Sequence, residues 1–351
     1  MRLLKYKESA EAGNPYRGAY LDGIDAYIQK EREKANQIRA EYIKDVLSRG
    51  EDYRKDFFAM LGTPLTTPRD QNVKMEKHFV TQEGTVRIYR TVTTVLGCIP
   101  VYGMLFTNGE DEKKPLVISA HGGLGTPELC SSLLKDGSYN YNDMTQRILA
   151  QDVHVYAPQF LLWDPNKFVV RSADDVAGTD SMRRTRDNRL KQLGSSITAI
   201  EIYGLMCALD ALEQEPYINK EQIGMAGLSY GGFYTLFAAA ADTRIKYSVA
   251  CCQFSDRYTY GWSDWVWFDA ANKFLDAEVL ALVYPRHIEI FMGDHDDLFD
   301  AALSVKEFDT FKKIAGKKSD FANLTIFKGG HEFVKSDEPI DKMVKYLKER
   351  L

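Results

Sequence analysis

From about residue 115 onward, short apolar runs alternate with longer stretches of helical periodicity, and this alternation most limits the folds open to the chain. The runs are "PLVISA" (115–120), "VHVYAP" (153–158), "IGMAG" (223–227), "YSVACC" (247–252), "HIEIFM" (287–292) and "LTIFKG" (324–329). Each is short and mostly apolar, as expected for a strand buried on both faces. Helical stretches are predicted at 195–212, 231–240, 264–281, 301–315 and 337–350, the last with Ile340, Met343, Val344 and Leu347 on one face. Apolar strands alternating with helices imply an α/β fold: a mostly parallel central sheet with helices on both faces. Upstream, "TVRIYRTVTTVLG" and "IPVYGMLFTNG" read as a hairpin or meander. Residues 1–72 are helical and charged. Ala35, Ile38, Tyr42 and Val46 recur at helical spacing, as do Tyr53, Phe57 and Met60 or Leu61, until Gly62 and Pro64 end the run. They read as an amphipathic N-terminal extension packed on a main domain at 73–351, with a free partner-binding module as the alternative.

The length of 351 residues suits one large domain with a smaller attachment. With 45 Lys plus Arg against 50 Asp plus Glu, the net charge of −5 offers no electrostatic basis for binding nucleic acid or anionic lipid. The exception is the cluster Arg183, Arg184, Arg186 and Arg189, which reads as a solvated loop or ordinary ion pairs. Contact with an acidic substrate group is its alternative. Cys98, Cys130 and Cys207 are scattered and Cys251 and Cys252 adjoin, a total of five with no CxxC or Cys/His spacing. Reduced thiols and no zinc site are expected. The opening "MRLLKYKESAEAGNPYRG" has no apolar h-region and no later run approaches a membrane span, so a soluble, cytoplasmic chain is expected.

The loops that follow the strands carry the chemistry. "IGMAG" runs into Gly227-Leu228-Ser229-Tyr230-Gly231, a G-x-S-x-G between a strand and a helix. That spacing suits a serine on a sharp, strained turn, since a side chain two residues to either side would strike neighbouring backbone. A serine hydroxyl needs a base. Of His78, His121, His154, His287, His295 and His331, only His331, in "KGGHEF", follows the last predicted strand. The base needs an orienting carboxylate. "IFMGDHDDLFD" offers Asp294, Asp296, Asp297 and Asp300, of which Asp296 fits best and Asp297 is the fallback. The same stretch lacks the spacing of a calcium loop and any paired histidine ligand, so no metal is expected. The fourth loop, "ISAHGGLGTPE", offers the backbone N–H of Gly122 or Gly123 which, with that of Tyr230, would form an oxyanion hole. His121 reads as structural.

"HGG", "GLSYGG", "GDHDDLF" and "GGHEF", in that order after a meander, resemble the α/β-hydrolase superfamily. Within it the chain is similar to the dienelactone-hydrolase-like and acetyl-xylan-esterase-like branch, which also carries a helical N-terminal extension. The resemblance covers about residues 75–351 well and the extension loosely. It implies a serine esterase with no cofactor, Ser229 as nucleophile, His331 as base and Asp296 as acid. Dienelactone hydrolases proper use a cysteine nucleophile and haloalkane dehalogenases an aspartate, and Ser229 departs from both. "GLSYGGFYT" is also similar to prolyl-oligopeptidase-type serine peptidases, which usually carry a β-propeller before the hydrolase domain; about 70 helical residues cannot form one.

Substrate signals are thinner. In "YTYGWSDWVWFDA", Trp262, Trp265 and Trp267 either stack on a sugar ring or an aromatic acyl group, or roof the core. Residues 164–194 are a candidate lid or cap. The reading is a serine carboxylic-ester hydrolase acting on small-molecule or carbohydrate esters, and the resemblance implies deacetylation of carbohydrates or small esters. A peptidase or amidase, or a non-catalytic binding protein on the same fold, is the alternative, and a homo-oligomer is left open.

Overall fold

The computed structural model describes residues 5–70, 72–135, 139–161 and 173–349, the side chains of 173–181 excepted. Nine strands form one sheet: β1 Met75–Glu83, β2 Val86–Val95, β3 Ile99–Asn108, β4 Lys114–Ala120, β5 His154–Pro158, β6 Ile218–Leu228, β7 Ile245–Cys251, β8 His287–Gly293 and β9 Ala322–Phe327. Their spatial order is β1-β2-β3-β5-β4-β6-β7-β8-β9. The meander β1–β3 is antiparallel and joins β5 antiparallel, while β5, β4, β6, β7, β8 and β9 run parallel. All six apolar runs of the sequence are parallel strands of this sheet. β1 was not singled out because "MEKHFVTQE" is an exposed, charged edge strand with no apolar face to recognise.

The helices are α1 Asn14–Tyr42, α2 Gly50–Leu61, α3 Pro127–Cys130, α4 Met144–Leu149, α5 Ala173–Gln192, α6 Ile197–Leu212, α7 Tyr230–Ala241, α8 Asp276–Ala281, α9 Ala301–Ala315 and α10 Glu338–Glu349. On one face of the sheet α2, α6, α7, α8 and α9 enclose the larger core; on the other, α4 and α10 enclose the smaller. α10 buries Ile340, Met343, Val344 and Leu347, the stripe read from its periodicity. α6 and α7 are buried nearly all round, as their apolar composition requires.

Two expectations are corrected. On α1 the predicted apolar face is broken: Ala35 is buried but Ile38 is 52% exposed, and Val46 lies beyond the end of the helix. Arg39 is buried instead, its Nε donating to Glu278 at 2.9 Å. The second correction concerns 264–281, where only α8 is an α-helix. The rest is short 3₁₀ turns, interrupted by Asp269 at φ +62°. Trp265 and Trp267 both stack on Phe233, with ring centroids 4.7 and 6.3 Å away. Residues two apart on an α-helix point in nearly opposite directions, so a helix could not place both there.

Candidate active site

The site lies where the parallel strands end. β6 turns into α7 through Ser229, whose φ of +59° and ψ of −119° place a non-glycine residue in sparsely populated backbone space. Its N–H donates to Cys251 O at 2.8 Å and its carbonyl accepts from Phe233 N–H at 2.8 Å, which pin the turn. The flanking glycines are sterically required. A Cβ on Gly227 would stand 2.3 Å from Gly231 O, and one on Gly231 would stand 2.0 Å from Ala120 O.

The loops after β8 and β9 are stitched together by backbone. Asp294 N–H donates to Phe327 O at 2.9 Å and His295 N–H to Gly329 O at 3.0 Å. The closeness of these loops brings Asp296 to His331: Nδ1 and Oδ2 are 2.9 Å apart. The other oxygen of Asp296 accepts from Leu298 N–H at 2.8 Å and Phe299 N–H at 3.1 Å. Burial works to raise the Asp296 pKa, but hydrogen bonding and charge from His331, with Leu298 N–H and the Cys252 thiol, outweigh it and leave the carboxyl below its ordinary value. Phe299 stacks on the His331 ring at 5.7 Å, and Asn140 Nδ2 donates to His331 O at 2.8 Å. Asp297 is exposed, Asp294 bonds His295 and Gly329, and Asp300 caps α9. None of these three reaches His331.

Ser229 and His331 line one cavity of about 260 Å³ with Gly122, Gly123, Leu124, Trp262 and Leu298. Among the described residues no hydrogen bond joins Ser229 Oγ to His331; such bonds are often loose before substrate binds. The two glycines after β4 are not equivalent. Gly122 N–H donates to Tyr141 Oη at 2.8 Å, whereas Gly123 N–H has no such bond among the described residues. Burial keeps the Tyr141 phenol protonated. Sequence reading missed Tyr141, since it reaches the site from a single 3₁₀ turn, Tyr139–Tyr141, that carries no motif. His121 is fully buried, with Nδ1 toward Gly122 O at 2.9 Å and Nε2 accepting from Phe160 N–H at 3.0 Å. Burial pushes its pKa down to about 4, so it is a neutral brace for the glycine loop.

Of the three tryptophans, Trp262 and Trp265 line the cavity and Trp267 does not; it packs against Phe233 and Phe237 in the core. Arg183 also lines the cavity, yet it is 1% exposed and paired with Glu201 and Asp264. The candidate lid is described only from 173, where α5 begins; 164–172 lie outside the described residues. Cys252, Asp296 and His331 bring a sulfur, an oxygen and a nitrogen within 4.8 Å of one another. Burial holds the Cys252 thiol protonated and Asp296 already bonds His331, so the set is arranged as a hydrogen-bonded group. No helix among the described residues is long and apolar enough to cross a membrane.

Residues 199–349, the part holding Ser229, Asp296 and His331, match the prolyl oligopeptidase family. A 117-residue stretch, 31% of the chain, is 29% identical to YtaP of Bacillus subtilis (strain 168) and spans only 39% of that protein's length. Among solved structures, a glucuronoyl esterase from Solibacter usitatus is similar with a TM-score of 0.60 and 14% identity, over 87% of this chain and 92% of that one. Acetyl xylan esterase 1 from Thermoanaerobacterium sp. JW/SL YS485 is similar with a TM-score of 0.51 and 14% identity, over 84% and 93%. With the strand order and the serine turn, these likenesses establish the α/β-hydrolase fold.

Proposed function

We propose that this chain is a serine carboxylic-ester hydrolase that works through an acyl-enzyme. The observation that carries the reading is the Asp296–His331 hydrogen bond, made behind a cavity that His331 lines together with Ser229 on its strained turn. Ser229 Oγ attacks the acyl carbon while His331 Nε2 takes its proton. Asp296 fixes the tautomer of His331 by accepting from Nδ1 and stabilises the imidazolium that forms. The oxyanion is held by Tyr230 N–H, in the first turn of α7 where amides point out of the helix, and by Gly123 N–H. His331 returns the proton to the leaving alcohol. Water then attacks the acyl-enzyme with the same base, releasing the acid and restoring Ser229.

A cavity of about 260 Å³ walled by Leu124, Leu298 and Trp262 suits a short acyl group such as acetyl. Trp262, half-buried at the cavity wall, supplies flat apolar surface for a sugar ring on the alcohol side, while Trp265, fully buried between Phe233 and Phe299, backs it. We therefore put acetylated carbohydrates and small acetyl esters first among substrates. The family match favours a second reading, amide or peptide cleavage by the same residues. Turnover of p-nitrophenyl acetate and acetylated xylo-oligosaccharides, measured beside aminoacyl anilides, separates the two. Faster anilide cleavage would replace the esterase reading with the peptidase one.

A further inference from the structure

Behind Tyr230 lies a buried charged cluster that the acyl-transfer scheme does not use. Arg183, on α5, donates from Nε to Asp264 Oδ2 at 2.6 Å, from Nη1 to Glu201 at 3.0 Å and from Nη2 to Tyr234 Oη at 2.7 Å. The same Asp264 Oδ2 accepts from Tyr230 Oη at 2.9 Å. The guanidinium also sits over the Tyr230 ring, 5.1 Å from its centre, and Trp265 meets that ring edge-on at 4.8 Å. Asp264 is fully buried, and its other oxygen, Oδ1, has no hydrogen-bond partner. Its carboxylate is thus held through Oδ2 alone, by Arg183 on one side and Tyr230 on the other.

Tyr230 directly follows Ser229, and its backbone N–H is the amide assigned to the oxyanion. A side chain gripped at its far end by Asp264 and over its face by Arg183 has little freedom in χ1 and χ2, and the backbone that bears it is correspondingly fixed. Two carboxylates, Asp264 and Glu201, already neutralise Arg183 and leave the group with one excess negative charge. That balance argues against Arg183 as a receptor for an acidic substrate group. We infer that Arg183 is a positioning residue: acting through Asp264, it locks the Tyr230 side chain and so holds the Tyr230 N–H on the developing oxyanion. This makes α5, inserted between β5 and α6, a structural part of the nucleophile turn. The inference rests on the serine-hydrolase reading.

Tyr230→Phe is the cleanest probe, because it removes the Oη–Asp264 bond and leaves the backbone amide in place. Oxyanion donors stabilise the transition state more than bound substrate, so the loss should fall on kcat. With p-nitrophenyl acetate, kcat is expected to fall roughly 10- to 100-fold while KM stays within about twofold, the melting temperature holding near wild type. Phosphonylation of Ser229 by a fluorophosphonate should slow in parallel. Arg183→Lys keeps the charge but not the fork, and should show an intermediate loss of the same kind. If Arg183→Lys does not fold, Tyr230→Phe still decides the matter. Wild-type kcat and labelling rate in Tyr230→Phe would overturn the inference. A wild-type protein that does not label at all would overturn the hydrolase reading instead, so the two failures are distinguishable.

Discussion

His331 Nδ1 lies 2.9 Å from Asp296 Oδ2, although 35 residues separate them. The pair meets because the loops after β8 and β9 share backbone hydrogen bonds at Asp294 and His295. A Cβ on Gly293 would stand 2.3 Å from Gly330 O, so that glycine is what lets the loops touch. The histidine is thereby fixed by backbone geometry before any substrate enters.

The carboxylate pairing predicts a sharp contrast between neighbours. Asp296→Asn should lower kcat by about 10⁴-fold, because the amide favours the wrong histidine tautomer. Asp297→Asn, at an exposed position, should leave kcat near wild type. Steady-state rates on one acetyl ester check both, and equal losses would contradict the assignment.

His121 predicts an acid limb in stability. Its folded pKa of about 4 lies below its ordinary 6.5, so the unfolded chain binds the extra proton. Stability is therefore full above pH 6.5 and declines as pH falls through about 4. The fall attributable to this one residue is at most about 3 kcal/mol. Denaturant melts of wild type and His121→Gln at pH 7, 5.5 and 4.5 test it: the variant should show a shallower decline, and parallel curves would contradict the buried, neutral histidine.

The tryptophans should separate binding from stability. Trp262→Ala removes a cavity wall and should raise KM for an acetylated sugar while the fold holds. Trp267→Ala should cost about 3–5 kcal/mol of stability, as large-to-small core changes do, with KM unchanged in the protein that remains folded. Thermal melts beside saturation kinetics distinguish them.

Much of this architecture could be read from the chain because periodicity and strand-end loops report local forces. Of the six runs, those in β4 to β8 are buried on both faces, β9 is an edge strand with half its residues exposed, and none carries a polar interruption long enough to hide it. Ser229, Asp296 and His331 each follow a parallel strand of the sheet, so the loops that carry them were legible. What escaped depends on contacts between distant segments. Tyr141 occupies the Gly122 amide from 19 residues away, and nothing in "HGG" foretells it. Trp265 and Trp267 are two residues apart yet both pack on Phe233, because the segment is built of short turns, and nothing in their spacing tells that only Trp265 borders the cavity. The arginine cluster reads as a solvated loop or ordinary ion pairs, and only the packed structure shows that the pairs of Arg183 are buried and made with Glu201 and Asp264.

The most direct test of the central claim is reaction of the folded protein with a fluorophosphonate, with the adduct located by peptide mass spectrometry. One adduct per chain is expected, on Ser229, abolished in Ser229→Ala while the melting temperature is retained. Folded wild-type protein that takes up no probe, or takes it up equally in Ser229→Ala, would contradict it.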